Sequence, residues 1–282
     1  MPLAGTVTIA AVTGANQGLG LAVVAGLRAR LTGPDDVVYL TGRDPDRVAT
    51  AAAGLDAAGL DVATHPLDVT DPEAIERFAA MLRERHGGID VLVSNAAARI
   101  VPDRPPAAQV REFAATNNLG TTRLLRAVVP LLRPGARLLV VASSFGTLRS
   151  LPPPLHARFD DPGLTLDAVD AVVRAWVAAV EDGTAAAEGW PDWINIPSKV
   201  GQVAALRVVA RRLREDGPPG VLAVAVCPGL VDTAASRPWF DDMAEAQTPD
   251  EAATHLVRLA LDPADVGFHG ELVQFGRVLP WR

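Results

Sequence analysis

Thr6-Val7-Thr8-Ile9-Ala10-Ala11-Val12-Thr13-Gly14-Ala15-Asn16-Gln17-Gly18-Leu19-Gly20-Leu21 carries three signals in succession. The β-branched run from Thr6 to Thr13 reads as a strand. From Leu21 onward, Val23, Val24 and Leu27 fall on one side of a helix. Between them Gly14, Gly18 and Gly20 take the spacing Gly-x-x-x-Gly-x-Gly. Glycine adopts backbone angles that other residues avoid, and without a side chain it lets a phosphate approach the main chain. A helix opening just beyond such a loop aims unpaired N–H groups and a partial positive charge at that phosphate. Strand, glycine loop and helix together predict a dinucleotide site. The alternative is a tight turn in some other α/β protein.

The rest of the chain repeats the strand-then-helix order. Asp36 to Asp44 predicts a second strand, Ala63 to Val69 a third, Ile89 to Ala97 a fourth, Arg137 to Ala142 a fifth and Val221 to Cys227 a sixth. A last strand is expected over Glu271 to Phe275. Helices are expected over 45–60, over Pro72 to His86 with Asp71 as cap, through Thr116, Asn117 and Asn118, over Leu164 to Val180, from Pro197 to about Asp216, and over Asp250 to Leu261. Such alternation predicts an α/β fold: a Rossmann-type, doubly wound parallel sheet of about seven strands, with helices on both faces. No shift of composition marks a second domain, so residues 1–282 read as one. Arg43 stands at the end of the second strand, where a dinucleotide fold faces the adenosine ribose. An acid there favours NAD, whereas an arginine pairs with a 2′-phosphate and favours NADP. Arg43 therefore predicts NADP(H), with Asp44 beside it as the competing signal and a solvated loop arginine as the alternative.

Composition excludes several roles. With a net charge of −7, a pI near 5.2 and no block of like charge, nucleic acid and anionic membrane are not expected partners. One cysteine, Cys227, rules out an internal disulfide and fits a reducing, cytoplasmic setting; it reads as an inert buried thiol. No apolar run reaches the roughly 18 residues of a membrane helix. The first apolar segment has no basic region before it and reads as a core strand, not a signal peptide. The five histidines show no metal-ligand spacing, and no metal is expected.

Thr13-Gly14-Ala15-Asn16-Gln17-Gly18-Leu19-Gly20, Asp68-Val69, Asn95-Ala96-Ala97, Asn117, Ser143-Ser144, Lys199 and Pro228-Gly229, in this order and spacing, resemble the short-chain dehydrogenase/reductase family. Within it the likeness is to monomeric carbonyl reductases, through Thr41-Gly42-Arg43-Asp44, the inserted segment 151–194 and Glu188-Gly189-Trp190-Pro191. The resemblance implies that Gly14, Gly18, Leu19 and Gly20 line a pyrophosphate. Asn16 would hold the loop or touch the adenosine half, and Arg43 would take the 2′-phosphate. Gln17 stands where those reductases often carry a basic residue. Asp68 and Val69 would border the adenine, and Asn95, Ala96 and Ala97 would follow the ribose. Lys199 would bond the nicotinamide ribose. Pro228, Gly229, Val231 and Thr233 would border the nicotinamide. Ser144 would bond the substrate oxygen, and Asn117 would hold a water linking Lys199 to solvent. The insertion would cover the surface related enzymes use for oligomerisation, which implies a monomer. Residues 233–249 would form a mobile cover over the substrate.

One departure bears on chemistry. The family places a tyrosine four residues before the lysine as the acid that protonates the carbonyl oxygen; here Asn195 takes that place. The chain's sole tyrosine, Tyr39, belongs to the second strand. An amide donates a hydrogen bond but gives up no proton at neutral pH. Three readings follow. The first is an NADPH-dependent reductase of aldehydes, ketones or quinones in which Ser144 and Asn195 hold the oxygen and water supplies the proton. The second is a cyclisation, dehydration or isomerisation, with His156, Asp192 or Ser144 handling protons. The third is a silent NADP-binding sensor. Trp190, Trp193, Trp239 and Phe240 either line an apolar substrate pocket or are simply buried.

Overall fold

In a computed structural model, which describes residues 7–240 and 242–282, one sheet of eight strands organises the chain. The strands are β1 (Ile9–Val12), β2 (Val37–Gly42), β3 (Ala63–Pro66), β4 (Ile89–Ser94), β5 (Leu132–Val141), β6 (Leu222–Val226), β7 (Leu272–Gln274) and β8 (Arg277–Leu279). Their order is β3-β2-β1-β4-β5-β6-β7-β8, parallel except for the β7–β8 hairpin. The chain reverses direction across the sheet between β1 and β4. That switch point opens a crevice at the carboxyl ends of the strands, and ligands of such sheets bind there.

The helices are α1 (Gly18–Arg30), α2 (Pro45–Ala57), α3 (Pro72–His86), α4 (Pro106–Ala114), α5 (Thr121–Val128), α6 (Leu166–Glu181), α7 (Asn195–Asp216) and α8 (Pro249–Leu261). Side chains of successive strand residues point to opposite faces. Ala10 and Val12 accordingly pack with α1, α2 and α8 through Val23, Leu27, Val48 and Leu256. Ile9 and Ala11 pack on the other side with Phe78, Phe113, Leu124, Trp176 and Val203. Both faces are covered, which is why the strands read as unbroken apolar runs. Caps set the helix starts: Asp71 accepts from the Glu73 N–H at 2.9 Å, and Gly87, at φ 71°, ends α3.

The expected boundaries shift where local bonding intervenes. β3 stops at Pro66 and not at Val69, because Asp68 turns back to bond the Thr70 N–H at 2.8 Å. β4 stops at Ser94 and not at Ala97, because the Asn95 N–H bonds the Thr13 hydroxyl at 2.9 Å instead of a neighbouring strand. β5 begins at Leu132, ahead of the expected Arg137, with an irregular register around Pro134-Gly135. The sheet has eight strands where about seven were expected; the added β8 returns through Gly276, whose φ is 72°. Thr6, the first residue of the expected opening strand, lies outside the described residues.

Candidate active site

The glycine loop leaves β1 at Thr13 and is fastened from three sides. Asn95 Nδ2 donates to the carbonyls of Thr13 and Gly14 at 2.9 and 3.1 Å. Thr13 Oγ1 accepts from the N–H groups of Asn95 and Ala96 at 2.9 and 3.0 Å. The Ala15 N–H bonds the Thr41 carbonyl at 2.8 Å. Gly14 and Gly20 are packed against these anchors: a Cβ on Gly14 would lie 2.7 Å from Ala96 Cα, and one on Gly20 would lie 2.5 Å from Asn95 Nδ2. Gly18 differs. At φ 54° it meets only Thr233 Cγ2, at 3.5 Å, so its face of the loop is open. No side chain caps α1. The Gln17 amide oxygen instead accepts from Arg47 at 2.5 Å, which leaves the first-turn N–H groups facing that opening. The fit to a pyrophosphate follows from an open Gly18 and an uncapped helix N-terminus with no acid in its first turn.

Arg43, past the end of β2, is exposed and makes no hydrogen bond or ion pair among the described residues. Asp44 does not compete for a ribose; its carboxylate caps α2, accepting from Asp46 and Arg47 N–H at 3.0 and 3.2 Å. Asn16 lies beside Gly42 at the end of β2. Asp68 is half-buried and Val69 buried under Gly120.

A cavity of about 500 Å³ opens at the carboxyl ends of β4, β5 and β6. It brings together Leu19, Ala97, Asn117, Ser144, Asn195, Lys199, Pro228, Gly229, Val231 and Thr233. Of the aromatic candidates, Trp193, Trp239 and Phe240 line it. Trp190 does not: it is 3% exposed and packs on Trp176 and Phe159. Trp193 meets Phe145 edge-on, with ring centroids 4.8 Å apart, and Trp239 beyond, at 6.2 Å. His156 and Asp192 line no part of the cavity; His156 bonds the Leu151 carbonyl at 2.9 Å. Tyr39 bonds His86 at 2.8 Å, away from the cavity.

Asn195 and Lys199 lie one turn apart on α7, so their side chains share a face. The helix starts at Asn195, two residues before the expected Pro197. Proline is tolerated there because the N–H it lacks would find no helical partner in the first turn. Ser144 opens a short 3₁₀ turn after β5, capped by Ser143 Oγ, which accepts from the Phe145 N–H at 3.4 Å. That turn is pressed onto α7: a Cβ on Gly146 would lie 2.7 Å from Val203 Cγ2 and 3.1 Å from the Lys199 carbonyl. The expected unbroken helix through Asn117 is interrupted by a π turn, Ala115–Gly120. There Asn117 Oδ1 accepts from the Ala98 N–H at 2.7 Å, and Asn118 bonds Ser198 twice, at 2.8 Å each.

Lys199 Nζ donates to Gln202 Oε1 at 2.8 Å. Burial pulls its pKa down to about 8, opposed by Cys227. Cys227 is buried as expected, but it also lines the cavity, with Gln274 Nε2 3.3 Å from its sulfur. Burial pushes this thiol's pKa up, against hydrogen bonds from Gly229 and Ser144. The sequence reading missed Cys227's place and the polar pair Gln202 and Thr121. A signal for Gln202 existed: it is a lone amide in the apolar run Val200 to Leu206, three residues beyond Lys199 on the same face.

No helix among the described residues is long and apolar enough to cross a membrane, and no cluster of acids, histidines and cysteine among them could hold a metal. Residues 8–152 match the short chain dehydrogenase family model. Carbonyl reductase [NADPH] 1 of Mus musculus is 34% identical over 279 residues, covering 97% of this chain and 98% of that protein. The Homo sapiens protein of the same name is 35% identical with the same coverage. Salutaridine reductase from Papaver somniferum, a solved structure, superposes with a TM-score of 0.78 at 26% identity, covering 94% of this chain and 99% of that one. With this fold, this loop and relatives matched from end to end, the chain belongs to the short-chain dehydrogenase/reductase family.

Proposed function

We propose that this protein is an NADPH-dependent carbonyl reductase in which Asn195 and Ser144 together hold the substrate oxygen. The observation that carries the reading is the shared cavity: Ser144, Asn195 and Lys199 line it beneath an aromatic wall, next to the open face of the glycine loop. NADPH supplies hydride when bound. The uncapped α1 and Gly18 receive its pyrophosphate, and Arg43 takes the 2′-phosphate. Arg47, held by Gln17, adds a second positive charge beside that site and offsets the uncharged residue at position 17. Asp68 and Val69 border the adenine, Asn95 to Ala97 the ribose, and Pro228 to Thr233 the nicotinamide. Lys199 offers one N–H donor to the nicotinamide ribose. Two neutral donors, the Ser144 hydroxyl and the Asn195 amide, stabilise charge developing on the oxygen, as an oxyanion hole does.

The wall of Phe113, Phe145, Trp193, Trp239 and Phe240 fits an apolar or aromatic aldehyde, ketone or quinone. Thr233, Ala235, Ser236, Trp239 and Phe240 line its outer part, and we read residues 233–249 as the substrate cover, Asp241 lying outside the described residues. The segment 151–194 places α6 against α4 and α7, where Arg111 pairs with Glu181, and Arg126 pairs with Asp167 at 2.7 Å and with Asp170 at 3.0 Å. Those helix faces are thereby covered within one chain, which supports a monomer. The test is loss of NADPH absorbance with a panel of activated aldehydes, ketones and quinones. Turnover that is stoichiometric in NADPH is the expected result. Conversion of a substrate without NADPH consumption, or tight NADPH binding with no conversion, overturns it.

A further inference from the structure

We propose that Lys199 is itself the proton donor of this site and that Gln202 is the residue that positions it. This rests on the reductase reading. It begins with a shortage. A carbonyl reduced by hydride must gain a proton, and neither Asn195 nor Ser144 gives one up at neutral pH. Among the described residues, three titratable side chains line the cavity: Arg99, Cys227 and Lys199. Arginine is not deprotonated in proteins. The Cys227 thiol holds its proton more firmly than an ordinary thiol because it is buried. Lys199 remains, and its lowered pKa, about 8, suits proton donation near neutrality.

Composition points to the same residue. The chain has 26 basic residues, and Lys199 is its sole lysine; every other cation is arginine. Lysine is kept where a compact ammonium with an adjustable pKa differs most from a guanidinium that never titrates.

The geometry assigns Gln202 its role. Its side chain is 2% exposed and bonded at both ends. Oε1 accepts from Lys199 Nζ at 2.8 Å, and Nε2 donates to Thr121 Oγ1 at 3.4 Å. Thr121 Oγ1 donates in turn to the Asn117 carbonyl at 2.7 Å, inside the π turn. The ammonium is thus tethered by one of its three N–H bonds to a chain of neutral groups, with two left for the cavity. A neutral tether matters: a carboxylate there would raise the lysine pKa, whereas an amide fixes position and leaves the acidity to burial. Around Lys199, the 3₁₀ turn after β5, the π turn and the start of α5 present Ser144, Asn117 and Thr121, all uncharged. Cys227, at the end of β6, is the one titratable group acting on it.

The carbonyl carbon receives hydride from the reduced nicotinamide, which is oxidised. The C=O π pair passes to oxygen, and that oxygen takes a proton as one N–H bond of Lys199 breaks. The neutral amine then recovers a proton from solvent.

The sole lysine makes the test direct. In the full chain carrying lysine labelled with carbon-13 at Cε, the single side-chain resonance reports the Lys199 midpoint, with and without NADP. The rate of NADPH oxidation is followed against pH in parallel. The wild-type midpoint is expected far below that of an exposed lysine, with the rate falling above the same pH. Gln202→Glu should move both upward together by about one pH unit or more, as an opposite charge at contact does. Gln202→Met should remove the tether, move neither upward and lower kcat more than it raises KM. A pH limb that ignores position 202 while the resonance moves shows that water supplies the proton, and overturns the donor. A resonance that titrates alike in all three proteins overturns Gln202's role, whether or not the chain turns over. A chain that oxidises no NADPH with any residue at 202 overturns the reductase reading instead.

Discussion

The two walls of the crevice are built differently. On the β1–β2–β4 side, the groups facing a ligand are mostly main-chain: the first turn of α1 and the open Gly18. Their geometry is held by Thr13, Thr41 and Asn95 through backbone bonds. On the α7 side the groups facing the cavity are side chains, Asn195 and Lys199, presented from one helix face. The first wall carries its binding chemistry in a shape, which persists as long as small residues and anchors persist. The second carries its chemistry in the acidity of single atoms, so one replacement alters what can happen there while the fold stays intact.

The sharpest way to break that contrast is Asn195→Tyr. If the tyrosine hydroxyl is a better placed acid than Lys199, kcat for NADPH oxidation should rise by up to about 10² to 10⁴, the usual contribution of a positioned acid, with NADPH affinity unchanged. A gain under about tenfold, with turnover already present in the wild type, would mean that Lys199 fills the acid's role. On the other wall, Arg43→Ala should weaken NADPH binding by about 10- to 100-fold through loss of a charge-assisted contact. NADH binding should hardly change in a titration of nucleotide fluorescence. Equal losses for both nucleotides would remove Arg43 from the 2′-phosphate.

Gly20→Ala probes the shape itself. Alanine favours helix, yet its methyl would sit 2.5 Å from Asn95 Nδ2 and 2.7 Å from the Gly14 carbonyl. A loss of about 1–3 kcal/mol in urea unfolding is expected from such overpacking. An unchanged midpoint would show the loop to be loose. The smallest effect belongs to the cavity rim. Trp239→Ala removes the ring 6.2 Å from Trp193 and should raise KM for an aromatic carbonyl by about 2- to 10-fold, the worth of one aromatic contact. The NADPH Kd should not move.

Much of the first wall was legible in the chain because its logic is local. Gly14, Gly18 and Gly20 fall within seven consecutive residues, and Arg43 follows the second strand directly. α3 was read from Pro72 to His86 because the cap Asp71 and the terminal Gly87 directly flank its apolar face. The cavity wall was legible only in part. Ser144, Asn195 and Lys199 were recognised through a family pattern, whereas nothing local tells that Trp190 is buried while Trp193 and Trp239 face the cavity. Thr116, Asn117, Asn118 and Gly120 are weak helix formers, but weak propensity does not distinguish a π turn from a frayed helix; the irregularity appears only where Asn117 and Asn118 bond Ala98 and Ser198.

The sequence alone carried the parallel α/β layout, the glycine loop, the arginine that follows the second strand and the asparagine in the place of the family's tyrosine. Each depends on periodicity, glycine placement or residue identity within a short span. Tertiary structure decided how distant residues meet. It brought Gln17 to Arg47. It excluded His156 and Asp192 from the cavity and set Cys227 beside Ser144. It also ran a line of hydrogen bonds from Lys199 through Gln202 and Thr121 to Asn117. Gln202 and Thr121 stand 81 positions apart, and only the packing of α7 against the helix that follows the π turn brings them within bonding distance.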